Sequence, residues 1–259
     1  MTPDPPRDGP GPAPAVRFDA VRPPASQPTH VAPHNRPAEP LSRARIVAAA
    51  MDLADAEPHG EITMRALAGR LGVRSPMALY RYVGSKDGLA DLMMDEVFGL
   101  VTVRRGEGWR VALRSMGRTG WEAVQRHPWF ARLAFARPPL GPNALAMYDA
   151  AFAELEPLGL DAAATAGSVN TVLGHVFGSG LALLEENAMR ARHGVLSDEQ
   201  LTEMAAPFHA AIAESGRYPH FSRWVADPAR HDPPPQSFEQ ILEWLLDGLA
   251  TLDGARTGR

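Results

Sequence analysis

Residues 62–86 read Ile-Thr-Met-Arg-Ala-Leu-Ala-Gly-Arg-Leu-Gly-Val-Arg-Ser-Pro-Met-Ala-Leu-Tyr-Arg-Tyr-Val-Gly-Ser-Lys. A first short helix is predicted to begin after Thr63, which is a good N-cap residue. Gly72 permits a sharp turn, because glycine tolerates a positive φ. Ser75 and Pro76 then form a favourable N-cap and N1 pair for a second short helix. Two short helices that meet at a glycine-containing turn are typical of a helix-turn-helix.

Helices are also predicted on both sides of this motif. An apolar stripe at helical spacing follows Ser42, a plausible N-cap, and Ser85 caps a further helix that runs towards Leu100. The second short helix of the motif is predicted to end at Tyr80. We therefore predict a helix-turn-helix DNA-binding domain over residues 41–100.

The remainder of the chain is predicted to be helical, because apolar residues recur near a period of 3.6 and no segment alternates convincingly like a strand. The predicted fold class is therefore all-α, with an N-terminal three-helix helix-turn-helix domain followed by a helical ligand-binding and dimerisation domain over residues 101–259. The helices predicted in that second domain cover residues 109–126, 128–136, 142–155, 161–192, 198–214 and 237–252.

Composition narrows the possible chemistry of the chain. It has 259 residues, no cysteine and a formal net charge of −4, so disulfide frameworks, thiol nucleophiles and thiolate metal sites are excluded. Residues 1–40 are rich in proline and glycine and lack periodicity, so we expect a disordered arm there. Residues 41–90 are mildly basic, which suits a DNA-binding head, although random surface charge explains this equally well. No secretory signal is visible, and we expect a cytoplasmic protein.

The helix-turn-helix and its flanks closely resemble the tetracycline-repressor family of transcriptional regulators, most strongly over residues 42–100. The residues that carry the resemblance are Leu71, Gly72, Val73, Leu79, Tyr80, Val83 and Lys86. The resemblance implies that the chain binds double-stranded operator DNA, with the second short helix in the major groove.

The resemblance also implies a role for individual residues. Tyr80 and Lys86 match positions that contact the DNA backbone, while Thr63 and Arg65 match positions that face phosphate and sometimes a base. The full predicted DNA-binding set is Thr63, Arg65, Arg74, Ser75, Pro76, Met77, Tyr80, Arg81, Tyr82 and Lys86. Residues 74–78 are one residue longer than the common family pattern, so the base-reading positions can shift by one.

Lys86 has a physical interpretation that does not depend on the family. It is the only lysine in the chain and lies at the start of a predicted helix, where free N–H groups and the helix dipole attract anions. A compact ammonium at that place is suited to a phosphate. The alternative is an ordinary surface lysine.

Residues 100–259 resemble, more weakly, the C-terminal domain of the tetracycline-repressor subgroup itself. The resemblance is carried by the His-Pro-Trp-Phe of residues 127–130, by Arg137 followed by proline, and by Gly174 followed by histidine. It implies that the long helix and the last helix form a four-helix homodimer interface. It also implies a small-molecule effector pocket between these helices and the central ones.

The long helix contains no charged residue over residues 162–184, which is enough to span a bilayer. Its polar residues favour instead a buried helix of a soluble protein, so no membrane partner is expected. Asn170 and His175 on this helix are candidate polar ligand-binding groups, and the alternative is a hydrogen bond to a neighbouring helix. The aromatic candidates for the ligand pocket are Trp121, Phe130, Phe135 and Phe177, for which simple core packing is the alternative.

The magnesium–tetracycline chemistry of the subgroup is not expected here. Aligned on Arg137, the metal-binding histidine of that class falls at Leu133, and its drug-contacting histidine falls at Tyr82. Leucine cannot replace an imidazole as a metal ligand. We therefore expect a mainly apolar effector, with no metal and no cofactor.

The last predicted helix carries apolar residues close to an a/d seam, which favours helix pairing in a dimer. These residues are Phe238, Ile241, Leu242, Leu245, Leu249 and Leu252. The alternative is an amphipathic helix that packs on the core of a monomer.

An enzyme is the main alternative of a different class. The chain lacks a Gly-x-Ser-x-Gly elbow, a phosphate-binding glycine loop and a His-Glu-x-x-His helix, so we do not expect an enzyme. A helical small-molecule-binding protein without a DNA function is a further alternative, which the helix-turn-helix motif disfavours.

Overall fold

The computed structural model describes residues 40–227 and 238–257. Within these residues the chain forms eleven α-helices, one short 3-10 turn and no strand, which confirms the all-α prediction. The helices are α1 (Arg43–Ala56), α2 (Met64–Leu71), α3 (Met77–Val83), α4 (Lys86–Phe98), α5 (Trp109–Arg126), α6 (Trp129–Ala136), α7 (Pro142–Leu155), α8 (Ala162–His193), α9 (Asp198–Glu214), α10 (Pro219–Ala226) and α11 (Phe238–Thr257).

Side-chain caps explain where the first helices begin. The hydroxyl oxygens of Ser42, Thr63 and Ser85 each accept a backbone N–H from the first turn of α1, α2 and α4, as the sequence predicts. Helix α3 begins one residue later than expected, because Pro76 occupies its N-cap position. It also continues past the predicted end to Val83, where the chain turns.

The core is formed by α1 to α8 and α11, and α8 lies at its centre. Helix α8 packs against α5, α6, α7 and α11. A Cβ at Gly180 would overlap the Val124 side chain, and a Cβ at Gly120 would lie 3.3 Å from Val176. Glycine at these two places therefore lets α5 and α8 approach closely.

By length and composition alone, α8 is the one helix among the described residues that could cross a membrane. Its residues Val169, Val172 and Val176 are fully buried inside the chain. One side of α8 therefore lies in the core of the chain.

Helices α9 and α10 pack against each other, and neither contains a buried residue. Helix α10 was not predicted, since its eight residues are too few for a periodic pattern and lie between proline-containing breaks. Large apolar side chains stay exposed on this pair, namely Met204, Phe208, Phe221 and Trp224.

The predicted arm over residues 1–40 lies outside the described residues, apart from Pro40. The domain boundary after Leu100 stays a prediction. Buried residues of α1 to α4 and of α5 to α8 and α11 belong to one hydrophobic cluster, so the two parts share a core.

Candidate DNA-binding and effector sites

The helix-turn-helix consists of α2, α3 and the turn between them. Gly72 adopts the left-handed conformation with φ of +70°, and the Val73 N–H donates to the Ala68 carbonyl at 2.9 Å. Leu67 and Leu79 are fully buried beneath the two helices. The turn thus fixes how α3 projects from the core.

The N-terminal end of α3 presents the predicted base-reading residues to solvent. Arg74 and Ser75 are exposed, Pro76 is half-buried, and Met77 is 70% exposed. Ser75 also supports the start of α3, since its hydroxyl oxygen accepts the Met77 N–H at 3.3 Å. An exposed apolar side chain at a helix start is suited to the methyl group of thymine.

Several predicted backbone-contacting residues lie around this end of the motif. Thr63 uses its oxygen as a cap, which leaves the hydroxyl proton to donate elsewhere. Arg65 and Arg81 are exposed, and Tyr80 is half-buried. The Arg43 Nε donates to the backbone carbonyl of Tyr82 at 3.1 Å, which ties the start of α1 to the end of α3.

Lys86 is the first residue of α4, and its ammonium group forms an ion pair with the Glu61 carboxylate. The hydrogen bond from Lys86, aided by its charge, lowers the pKa of Glu61 below the ordinary value. Sequence reasoning missed this partner, because Glu61 lies 25 residues away in the connection between α1 and α2.

Helix α4 is attached to the helices behind it at two places. Arg137, at the end of α6, bonds to Asp91 at 2.6 Å and to Asp87 at 3.0 Å. The buried Asp95 accepts the backbone N–H of Ala144 at 3.0 Å and that of Asn143 at 3.3 Å. Asp95 therefore caps the N-terminus of α7, although it belongs to another helix.

A glycine makes this cap possible. The N-cap position of α7 is Gly141, which provides no side-chain cap of its own. A Cβ at Gly141 would overlap the carboxyl group of Asp95. No local pattern in the sequence indicates this contact.

His175, a predicted ligand-binding residue, already has partners inside the chain. Its Nε2 lies 3.0 Å from the carbonyl oxygen of Phe238, and its Nδ1 lies 3.3 Å from the Ser179 hydroxyl. Its ring stacks on the Phe238 ring, which also stacks on Trp121 with centroids 4.7 Å apart. Both ring nitrogens are therefore engaged by α8 and α11.

The other predicted ligand-binding residues lie in two further places. Phe130 and Phe177 are buried and meet edge to face at 5.4 Å, while Phe135 beside them is 59% exposed. Asn170 is exposed and accepts a hydrogen bond from the Tyr148 hydroxyl at 3.2 Å. Burial raises the pKa of Tyr148. The structure therefore does not bring the six candidates together around one cavity.

Two of the cavities that adjoin α4 reach its N-terminal half. One of about 880 Å³ lies between α3, α4 and the connection from α6 to α7. Its lining includes Arg81, Tyr82, Asp91, Arg137, Pro138 and Leu140. A second, of about 270 Å³, lies between α4, α6 and the connection from α1 to α2, and Leu133 and Lys86 line it. Neither cavity is lined by any of the six predicted ligand residues.

An ionic network joins α5 to α11. Glu243 accepts hydrogen bonds from Arg114 at 2.5 Å and from Arg110 at 2.9 Å. The Arg114 hydrogen bond is the main reason that the pKa of Glu243 falls to about 2, against the opposing effect of burial. Asp247 bonds to Arg110 at 2.6 Å.

Comparison with known proteins gives a consistent result. Residues 104–252 match the family model described as "Tetracyclin repressor-like, C-terminal domain". The chain is 32% identical over 234 residues to the HTH-type transcriptional repressor DrrR1 of Streptomyces coeruleorubidus, covering 87% of this chain and 83% of that protein. It is also 32% identical over 220 residues to an HTH-type transcriptional regulator of Saccharopolyspora erythraea, covering 83% of this chain and 86% of the relative.

Solved structures agree with these sequence matches. The structure of the Streptomyces coelicolor TetR family protein ActR in complex with actinorhodin superposes with a TM-score of 0.67 and 28% identity. The match covers 82% of this chain and 96% of ActR. The helix-turn-helix, the all-helical body and these relatives together show that the chain belongs to the tetracycline-repressor family of transcriptional regulators.

Proposed function

We propose that the protein represses transcription by binding double-stranded operator DNA as a homodimer, and that a small, mainly apolar effector releases it. The observation that carries the proposal is the exposed start of α3, held on a rigid turn with Arg74, Ser75 and Met77 pointing away from the core. Base edges specify a DNA sequence, and such an end fits the major groove. The side chains of Thr63 and Tyr80, and the cationic groups of Arg65 and Lys86, would contact the DNA backbone.

The dimer is proposed on an open face of α8. Gly167, Gly174 and Gly178 are exposed there, and a Cβ at any of them would meet nothing within 4 Å. On α11, Leu242 of the predicted seam is fully buried within its own protomer, while Trp244 is 52% exposed. Leu252 of that seam lies outside the described side chains. A small-residue face on α8 and an exposed aromatic residue on α11, which packs against α8, favour close packing of helices from two protomers.

Introducing a charged side chain at this face tests the proposed dimer. Gly174→Glu is expected to shift the protein towards monomer in sedimentation and to weaken operator binding, since one helix-turn-helix reads only one half-site. Gly69→Glu, on α2, is the matched control for oligomeric state. If Gly174→Glu forms dimers as tightly as the wild type, the proposed interface is wrong.

The effector site is proposed beneath α4. The cavity of about 880 Å³ is large enough for a small organic molecule and adjoins both α3 and the connection that holds α4. ActR, which has a similar fold, was crystallised with actinorhodin. A ligand there contacts the helix that carries Lys86, so a difference in its affinity for two positions of α4 would change DNA affinity. The six residues predicted from sequence stay the alternative site.

The proposed function requires no metal, no cofactor, no membrane and no enzymatic reaction. We also propose that the protein is cytoplasmic. Leu133 supports a metal-free effector, because it stands where the subgroup has its metal-binding histidine. Chelators should therefore leave effector binding unchanged.

Mobility shift with the DNA upstream of the gene tests the function directly. We expect retardation that weakens steeply with salt and exceeds that of unrelated DNA. Absence of binding at low salt would contradict a DNA function and favour a helical ligand-binding protein.

A further inference from the structure

We infer that Glu61 limits the affinity of the protein for DNA by holding Lys86, so that a DNA phosphate has to displace the Glu61 carboxylate from the Lys86 ammonium. This inference rests on the proposed function, because it assumes that Lys86 contacts the DNA backbone.

The geometry places the two groups in direct competition with DNA. Glu61 lies just before the Thr63 cap of α2, and Lys86 is the first residue of α4. Their side chains are 78% and 49% exposed, so both are open to an approaching duplex. The acidic neighbour of Lys86, Asp87, bonds instead to Arg137.

The exchange of partners is physically accessible. An ion pair between exposed side chains contributes little to stability, because water and salt screen it. A phosphate at the start of α4 gains both the ammonium and those N–H groups of the first helical turn that Ser85 does not cap. Lys86 can therefore leave Glu61 for a phosphate without unfolding any element.

After the exchange, Glu61 is left without its cation next to a negatively charged backbone. Like charges at this distance repel, and the repulsion lowers the affinity for every DNA sequence alike. Removing the carboxylate should thus strengthen binding about two- to five-fold, which is the upper part of the range for a single exposed charge interaction.

The salt dependence should change as well. Each phosphate that the protein neutralises releases condensed counterions. In the wild type, the Glu61 carboxylate that Lys86 has left attracts cations from solution. This uptake reduces the net release of counterions. Without that carboxylate, the slope of log affinity against log salt should become steeper by a fraction of one unit.

The pKa of Glu61 also bears on the competition between Glu61 and a DNA phosphate for Lys86. In the free protein the hydrogen bond from Lys86 lowers the pKa of Glu61. Once Lys86 moves to a phosphate, that pKa returns upward, so the complex binds more protons than the free protein. Affinity for DNA should therefore rise as the pH falls towards the range in which an unpaired glutamate titrates.

The experiment compares Glu61→Gln with a matched control in the full chain. The control is Asp52→Asn, which frees Arg70 from another exposed ion pair in the helix-turn-helix domain, with an N···O distance of 2.9 Å. Affinity for the operator and for an unrelated duplex is measured by fluorescence anisotropy over a series of salt concentrations. The same series is repeated for Lys86→Met and for the Glu61→Gln, Lys86→Met double variant.

We expect Glu61→Gln to bind both duplexes more tightly with a steeper salt slope, and to gain clearly less in the Lys86→Met background, where only the repulsion between Glu61 and phosphate is removed. An equal gain in Asp52→Asn, or a gain of the same size without Lys86, would overturn the inference. If Lys86→Met binds like the wild type, Lys86 is outside the footprint and only this inference fails. If the wild type does not bind DNA at low salt, the proposed function fails with it.

Discussion

The imidazole of His175 and the phenyl ring of Phe238 stack face to face, with centroids 4.3 Å apart and planes inclined by 8°. The same imidazole makes a hydrogen-bond contact of 3.0 Å with the Phe238 carbonyl oxygen. One residue of α8 thus holds the first residue of α11 by two different interactions.

His175→Ala should therefore lower the free energy of unfolding by about 1–3 kcal/mol, from one lost hydrogen bond and one lost ring contact. Urea denaturation measures this loss. His175→Phe keeps the stacking and removes the hydrogen bond, so it should lose less. If His175→Ala is as stable as the wild type but no longer responds to the effector, His175 belongs to the ligand site.

Glu243→Gln should destabilise the protein at neutral pH but not in strong acid. The folded-state pKa of Glu243, about 2, lies below its ordinary value of 4.5. The stabilisation is therefore complete above pH 4.5 and disappears as the pH falls towards 2. Since the side chain is 38% exposed, we expect only about 1 kcal/mol at pH 7. Denaturation at several pH values measures it, and Glu239→Gln, which breaks a more exposed pair with Arg118, should have little effect.

Gly141→Ala should destabilise the protein by about 2–3 kcal/mol, because the new methyl group displaces the buried Asp95 carboxyl from the N-terminus of α7. Thermal unfolding checks this. Gly69→Ala is the control: its Cβ meets nothing within 4 Å on α2, and alanine favours a helix. Equal melting temperatures for the two variants would mean that Asp95 does not hold α7.

Met77→Ala should reduce discrimination between the operator and unrelated DNA, since an apolar contact to a base edge carries sequence information. We expect a loss of about 1–2 kcal/mol for the operator and little change for unrelated DNA. Competition binding measures both, and the salt slope should stay the same because no phosphate contact is lost. A uniform loss on both duplexes would place Met77 away from the bases.

Local signals in the sequence were enough to predict most of the fold. The caps Ser42, Thr63 and Ser85 act within their own first helical turn, so residue type and spacing reveal them. The helix-turn-helix follows for the same reason. Helix α10 was missed, because a segment of eight residues offers too few positions for a period to be recognised.

The contacts of the candidate sites depend on residues far apart in the sequence. His175 is polar on an apolar helix, but its partner Phe238 lies 63 residues away. Neither a pattern nor a motif can distinguish that partner from a ligand. The pairing of Lys86 with Glu61, and that of Asp95 with the start of α7, are long-range in the same way.

The buried cap formed by Asp95 fixes one point of α4, a pivot about which the rest of the helix can tilt. The pairs of Arg137 with Asp87 and Asp91 are exposed on the acid side and can be remade, whereas the Asp95 carboxylate cannot leave α7 without burying an unsatisfied charge. At about 1.5 Å per residue, Lys86 lies about 13 Å along the helix from this pivot. A tilt of about 10° then moves Lys86 by about 2 Å, so small displacements beside Arg137 are magnified at Lys86, where we propose that α4 meets the DNA.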